Sequence, residues 1–128
     1  MDGVRGEFEY FSTYQSVSTD GGRTWTEPVA LLDRFGGSPP HLFKTSDGIL
    51  LCTYTQRHAP CGIKVMFSLD DGKTWDTGYD LYVNENMVDI GYSSTVELPS
   101  GELLTAFYSQ PTENEPAVVW QQRWKVER

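Results

Sequence analysis

Apolar and polar residues alternate in short runs along most of this chain. HLFK, ILLCTYTQ, IKVMFS and ELLTAFYS are each bounded by clusters of Gly, Pro, Asp or Ser. Alternation with that punctuation predicts β-strands. Nine are expected, at about 6–18, 28–32, 40–45, 49–57, 62–68, 79–83, 93–98, 102–109 and 117–126. The turn signals between them are DGG, GGSPP, SDG, APCG, DDG, PSG and TENEP. No long stretch carries apolar residues at helical spacing between caps, so no helix is expected.

Two repeats organise these strands. STDGGRTW at 18–25 returns as SLDDGKTW at 68–75. PHLFKTSDGILLCTYTQR at 40–57 resembles STVELPSGELLTAFYSQ at 94–110, with Gly48 falling on Gly101 and Tyr54 on Phe107. The unit is four strands in about 50 residues, the period of a propeller blade. A β-sandwich explains many short strands equally well, but not the repeated eight-residue turn. The expected fold is all-β: a partial β-propeller of four-stranded antiparallel blades, about two and a half in number. It divides into a blade remnant at 5–33, a complete blade at 39–83 and an incomplete blade at 92–126.

The repeated turn has a physical reading of its own. Asp20 and Asp70 accept backbone N–H groups and close the turn. Gly22 and Gly72 stand where φ is positive. Ser18, Ser68, Thr24 and Thr74 supply hydroxyls and the return into strand. Trp25 and Trp75 are expected to wedge against a neighbouring sheet. These ten residues read as structural.

Ser-x-Asp-x-Gly-x-Thr-Trp resembles the Asp-box of the sialidase (neuraminidase) superfamily, whose members are six-bladed β-propellers. GYSSTVELPSGELLTAFY at 91–108 is similar to the sialidase segment that carries the nucleophilic tyrosine. The resemblance covers nearly the whole chain but well under half of a complete propeller. It implies hydrolysis of a terminal sialic acid, or a related acidic sugar, with no metal and no cofactor. On it, Tyr92 takes the nucleophile's position. It also implies a glutamate that draws off the tyrosine proton, an aspartate as acid–base, and three arginines on the sugar's carboxylate. A neutral nucleophile suits a carbon that already bears a carboxylate, and an arginine fork suits the carboxylate itself.

Strand order sorts the residues independently of any family. If strands climb and descend in turn, both eight-residue turns lie at one end. Arg34, His41, Arg57, His58, Asp89, Tyr92, Gln110, Glu113 and Glu115 then lie at or near the other. Arg57 is the favoured carboxylate binder, with Arg34, Asp89 and His58 as further substrate contacts. Each has a plain alternative, an ordinary surface residue or, for Tyr92, a strand-edge tyrosine. A phenol needs a base within hydrogen-bond reach. Glu97 is roughly 16 Å along an extended strand from Tyr92, and Tyr108 stands where many sialidases carry a glutamate. The blade that brings the first arginine and the acid is absent. The expected function is therefore a sialidase-like segment that is incomplete or inactive alone. The alternative is a non-catalytic glycan-binding, structural or assembly module.

Composition narrows the partners. Ten basic residues face eighteen acidic ones, for a net charge of −8. That surface repels a phosphate backbone, so no nucleic-acid partner is expected. No run approaches membrane-spanning length, so no membrane partner is expected. MDGVRGEFEYF shows no basic lead followed by an apolar core, which points to the cytoplasm if the chain is the full-length product. Cys52 and Cys61 read as free buried thiols, and with His58 they do not make a metal site. Open edges at both ends call for the remainder of a longer propeller, for a homo-oligomer, or for closure into something smaller than a six-bladed ring. A ring of six four-stranded blades roughly matches three copies of nine strands, so a trimer is the expected assembly. The long end segments GEFEYFSTYQSV and AVVWQQRWKVER are its natural edge donors.

Overall fold

Two near-identical turns set the hairpins. In the first, Thr45 N–H donates to Ile49 O at 2.8 Å and Gly48 N–H to Thr45 O at 3.0 Å. In the second, Leu98 N–H donates to Glu102 O at 2.8 Å and Gly101 N–H to Leu98 O at 2.9 Å. Gly48 and Gly101 sit at φ 93° and 89°, a region closed to most side chains. The segments on either side alternate, and they pair as antiparallel strands.

The computed structural model describes residues 12–32, 37, 39–58 and 60–127. Nine strands run in order: β1 (Tyr14–Gln15), β2 (Val29–Ala30), β3 (Pro40–Lys44), β4 (Leu50–Gln56), β5 (Cys61–Ser68), β6 (Asp76–Asn84), β7 (Ile90–Glu97), β8 (Leu103–Ser109) and β9 (Val118–Trp124). They form three antiparallel sheets: sheet A is β1-β2, sheet B is β3-β4-β5-β6 and sheet C is β7-β8-β9. No helix occurs among the described residues. The fold is all-β, with its sheets in an open arrangement.

Several boundaries differ from expectation, and β7 starts at Ile90 rather than at 93. β6 starts at Asp76, directly after Trp75, rather than at 79. The turn delivers the chain straight into pairing, and a register shift between Val65 and Phe67, with Gly78 at φ 98°, absorbs the residues that read as loop. The first expected strand, 6–18, is described only from residue 12, where pairing is confined to Tyr14 and Gln15.

Side-chain alternation stacks the sheets with B in the middle. On one face of sheet B, Cys52, Tyr54 and Met66 pack with Leu31 and Leu32, which follow β2. On the other face, Leu51 and Val65 pack with Leu103, and Cys61 and Ile63 with Ile90 and Phe107. The B–C contact also holds buried hydroxyls. Ser93 Oγ donates to Thr53 Oγ1 at 2.7 Å, and Thr95 and Thr105 share a hydrogen bond of 2.8 Å. His41 belongs to this layer, where its Nδ1 accepts Thr95 N–H at 3.3 Å. Glu97, weighed above as a base, instead clamps the two sheets, accepting Ser46 N–H at 2.8 Å and Ser46 Oγ at 3.0 Å.

Candidate functional site

The two eight-residue turns are built alike. Asp20 Oδ1 accepts Thr24 N–H at 2.9 Å and Ser18 Oγ at 2.8 Å. Asp70 Oδ1 accepts Thr74 N–H and Ser68 Oγ, both at 2.8 Å. Gly22 and Gly72, at φ 92° and 88°, each donate N–H to the turn's serine at 2.8 Å. Both carboxyls are held down at about 2, chiefly by the threonine hydroxyl and N–H they accept. The tryptophans part company. Trp75 packs against Cys52, Tyr54 and Met66, and its Nε1 donates to Gln15 Oε1 in sheet A at 3.2 Å. Gln15 Nε2 donates in turn to Gly72 O at 2.9 Å. Trp25 does not wedge as expected: it is 63% exposed and donates Nε1 to Gly22 O of its own turn at 3.1 Å. Among the described residues, no sheet stands on the outer side of sheet A to receive it.

Tyr92 lies at the opposite end of the stack from these turns. The register fixes this. Leu50 pairs with Ser68 at the turn end of β4, and Gln56 with Gly62 at the far end. Arg57, one residue past β4, donates Nη1 to Ile90 O at 2.9 Å. β7 therefore begins at the far end, and Glu97 closes it at the turn end.

Two side chains touch Tyr92, and Asp89 joins them through Tyr108. The Tyr92 ring stacks on that of Tyr108, with centroids 5.8 Å apart and planes 21° from parallel. The Arg57 guanidinium carbon stands 5.6 Å from the Tyr92 ring centroid. Tyr108 Oη donates to Asp89 Oδ1 at 2.7 Å. Burial, then the Asp89 carboxylate, push the Tyr108 hydroxyl up, and Arg57 draws it partly back. Asp89 is fixed by Gln110, whose Oε1 accepts its N–H and whose N–H donates to its O, both at 2.9 Å.

Backbone distortion aims the tyrosine. Tyr92 has φ 57°, left-handed and costly for a bulky residue, within a register shift between Gly91 and Ser94. Its side chain is 65% exposed. A Cβ at Gly91 would stand 2.7 Å from Arg57 Nη2, so any larger residue there would push the guanidinium aside. Beneath Gly91, the buried Thr55 hydroxyl has no hydrogen-bond partner.

Of the substrate contacts named from sequence, Arg57 and Asp89 join Tyr92. His58 is exposed in the β4–β5 connection, and Arg34 lies outside the described residues. Tyr108, which read from sequence only as a missing glutamate, stacks directly on Tyr92; it pairs with Gly91, the residue before Tyr92. Glu115 turns its carboxylate to Thr112 Oγ1 at 3.2 Å, within its own loop. Cys52 and Cys61 are free and buried, and burial pushes the Cys52 thiol up to about 11. Among the described residues, no three His, Cys, Asp or Glu are grouped to hold a metal ion. A groove of about 870 Å³ lies away from Tyr92, at the turn end, between β6 and the segment from β9 onward.

Comparisons with protein-family models, with curated proteins and with solved structures give no match. The class that fold and geometry define is the broad one: an all-β chain of three antiparallel sheets, compatible with a carbohydrate-binding or structural module.

Proposed function

We propose that this chain is part of a sialidase-like Asp-box propeller, and that the end bearing Tyr92 binds an acidic glycan without hydrolysing it. The observation that carries this reading is the stacked Tyr92–Tyr108 pair with Arg57 across it. Exposed aromatic faces suit the apolar face of a sugar ring. A guanidinium beside them suits its carboxylate. Tyr92 is exposed, so a glycan can reach the pair.

The carboxylate geometry favours binding over turnover. A tyrosine nucleophile needs a base that takes its proton. Asp89, the carboxylate that β7 brings to these rings, accepts its hydrogen bond from Tyr108. Glu97 sits at the other end of β7, committed to Ser46. Rate enhancement comes chiefly from charge placed around the reacting centre, so a nucleophile without that setting contributes little.

Calorimetric titration with a sialylated trisaccharide, run beside an aryl sialoside turnover assay, tests the proposal. Binding without release is expected, weakened at least tenfold by Arg57→Ala or Tyr92→Ala. Release that disappears in Tyr92→Phe would overturn it in favour of a hydrolase. Absence of binding to any acidic sugar would overturn it in favour of a purely structural segment.

A further inference from the structure

The contact between sheets A and B contains one two-way hydrogen-bond clasp. Gln15 Nε2 donates to Gly72 O at 2.9 Å, and Gln15 Oε1 accepts Trp75 Nε1 at 3.2 Å. A glutamine on one sheet thus holds both the carbonyl and the tryptophan of the turn on the next sheet.

Among the described residues, each half of the same clasp recurs, alone, on an outer face of the stack. The turn half is on sheet A. Trp25 is 63% exposed, and its Nε1 folds back 3.1 Å to Gly22 O, the counterpart of the carbonyl that Gln15 holds in the second turn. The glutamine half is on sheet C. Gln15 stands three residues before Ser18, and Val65 three before Ser68. Val65 pairs with Thr53. Leu50 and Leu103 occupy like places after their Gly turns, so Ala106 is the counterpart of Thr53. Ala106 pairs with Gln121. Gln121 therefore holds in sheet C the place that Gln15 holds in sheet A.

Direction agrees as well as position. In sheet C, Leu103, Thr105 and Phe107 are buried toward sheet B, with Trp120 and Trp124 on the same side through pairing. Ala106 and its partner Gln121 thus face outward, as Gln15 faces outward from sheet A onto sheet B. Apolar residues accompany both halves: Val119 (82% exposed) beside Gln121 and Val96 (50%) across the same face of sheet C, and Tyr14 (63%) on the outer side of sheet A.

We propose that the outer face of sheet C docks on the outer face of sheet A in a second copy of this chain, with Gln121 clasping the Gly22 carbonyl and the Trp25 indole. The occupant follows from continuity. The second copy repeats a contact already made within the chain, between surfaces whose two halves are both present on one molecule. Such an interface is heterologous, joining unlike patches, so copies associate head to tail.

The test uses the intact chain and variants that each add one exposed cysteine. Native Cys52 and Cys61 are buried, so added exposed thiols report alone. Trp25→Cys and Gln121→Cys are prepared separately, mixed, and treated with a short bis-maleimide. The expected result is a cross-linked pair in the mixture and none in either variant by itself. Light scattering should give a mass above that of one 14.5 kDa chain. Gln121→Ala, an exposed change that leaves the fold intact, should weaken association about tenfold, the scale of two lost hydrogen bonds. A single-chain mass at millimolar concentration overturns the proposal. So does an assembly that cross-links Gln121→Cys to itself, or that Gln121→Ala leaves unchanged.

Discussion

The hydroxyl pair between sheets B and C offers a sharp test of how the stack is held. Ser93 Oγ and Thr53 Oγ1 are 2.7 Å apart, with relative exposures of 7% and 0%. Ser93→Ala removes the donor and leaves the Thr53 oxygen buried without it. An orphaned buried polar group costs about 1–3 kcal/mol. Thr53→Val has the mirror effect on Ser93, milder because that residue sees some water. Removing both together leaves two apolar groups of similar shape in contact, which is near neutral. Ser93→Ala should thus lose about 2 kcal/mol and the double variant about 1 kcal/mol or less. At about 4 °C per kcal/mol for a chain of this size, the melting temperature falls by about 8 °C in the single variant and about half that in the double. Urea unfolding followed by circular dichroism, with an unchanged m-value, gives the free energies. If the double variant loses the sum of the two single losses, the hydroxyls do not interact, and the B–C packing described here is wrong.

Four further expectations rest on particular groups. Asp20 and Asp70 have folded-state values lowered from 3.8 to about 2, so their contribution is complete above pH about 4 and is lost as pH falls through about 2; thermal melts from pH 5 to 2 should show this decline, and it should be shallower in Asp70→Asn. At neutral pH, Asp70→Ala should destabilise more than Asp20→Ala, because only the second turn supports a contact with another sheet. Gly91→Ala should push the Arg57 guanidinium aside, reducing acidic-sugar binding as Arg57→Ala does while costing about 1 kcal/mol or less in urea unfolding, because the tip of that side chain can move. Cys52, with its thiol pushed up to about 11, should react with iodoacetamide at pH 8 only after unfolding, as mass spectrometry would report.

Strand existence was legible because alternation and glycine turns act locally. The SDG and PSG turns fix the β3–β4 and β7–β8 hairpins through their own backbones. The opposition of Tyr92 to the two eight-residue turns followed from counting strand reversals. Three things were not legible. Residues 76–78 read as loop because Gly78 conceals the register shift that lets β6 start early. Trp25 and Trp75 carry the same local sequence, but what each touches depends on whether another sheet lies alongside. Tyr108 read as the loss of a carboxylate, since stacking depends on the left-handed backbone at Tyr92, which no side-chain pattern announces.

Among the described residues β9 is the last strand of sheet C, and its outward rim of amides and carbonyls is a template for an extended peptide. The groove beside it, walled by Phe67, Tyr79 and Leu81, would shelter the apolar side chains of that newcomer. The two ends of the strand are not equally inviting. Val118 and Val119 open it with bare hydrocarbon, whereas Arg123 and Lys125 stand guard where it finishes. Neutralising those two cations would therefore make the purified protein prone to irreversible clumping, beginning along this rim.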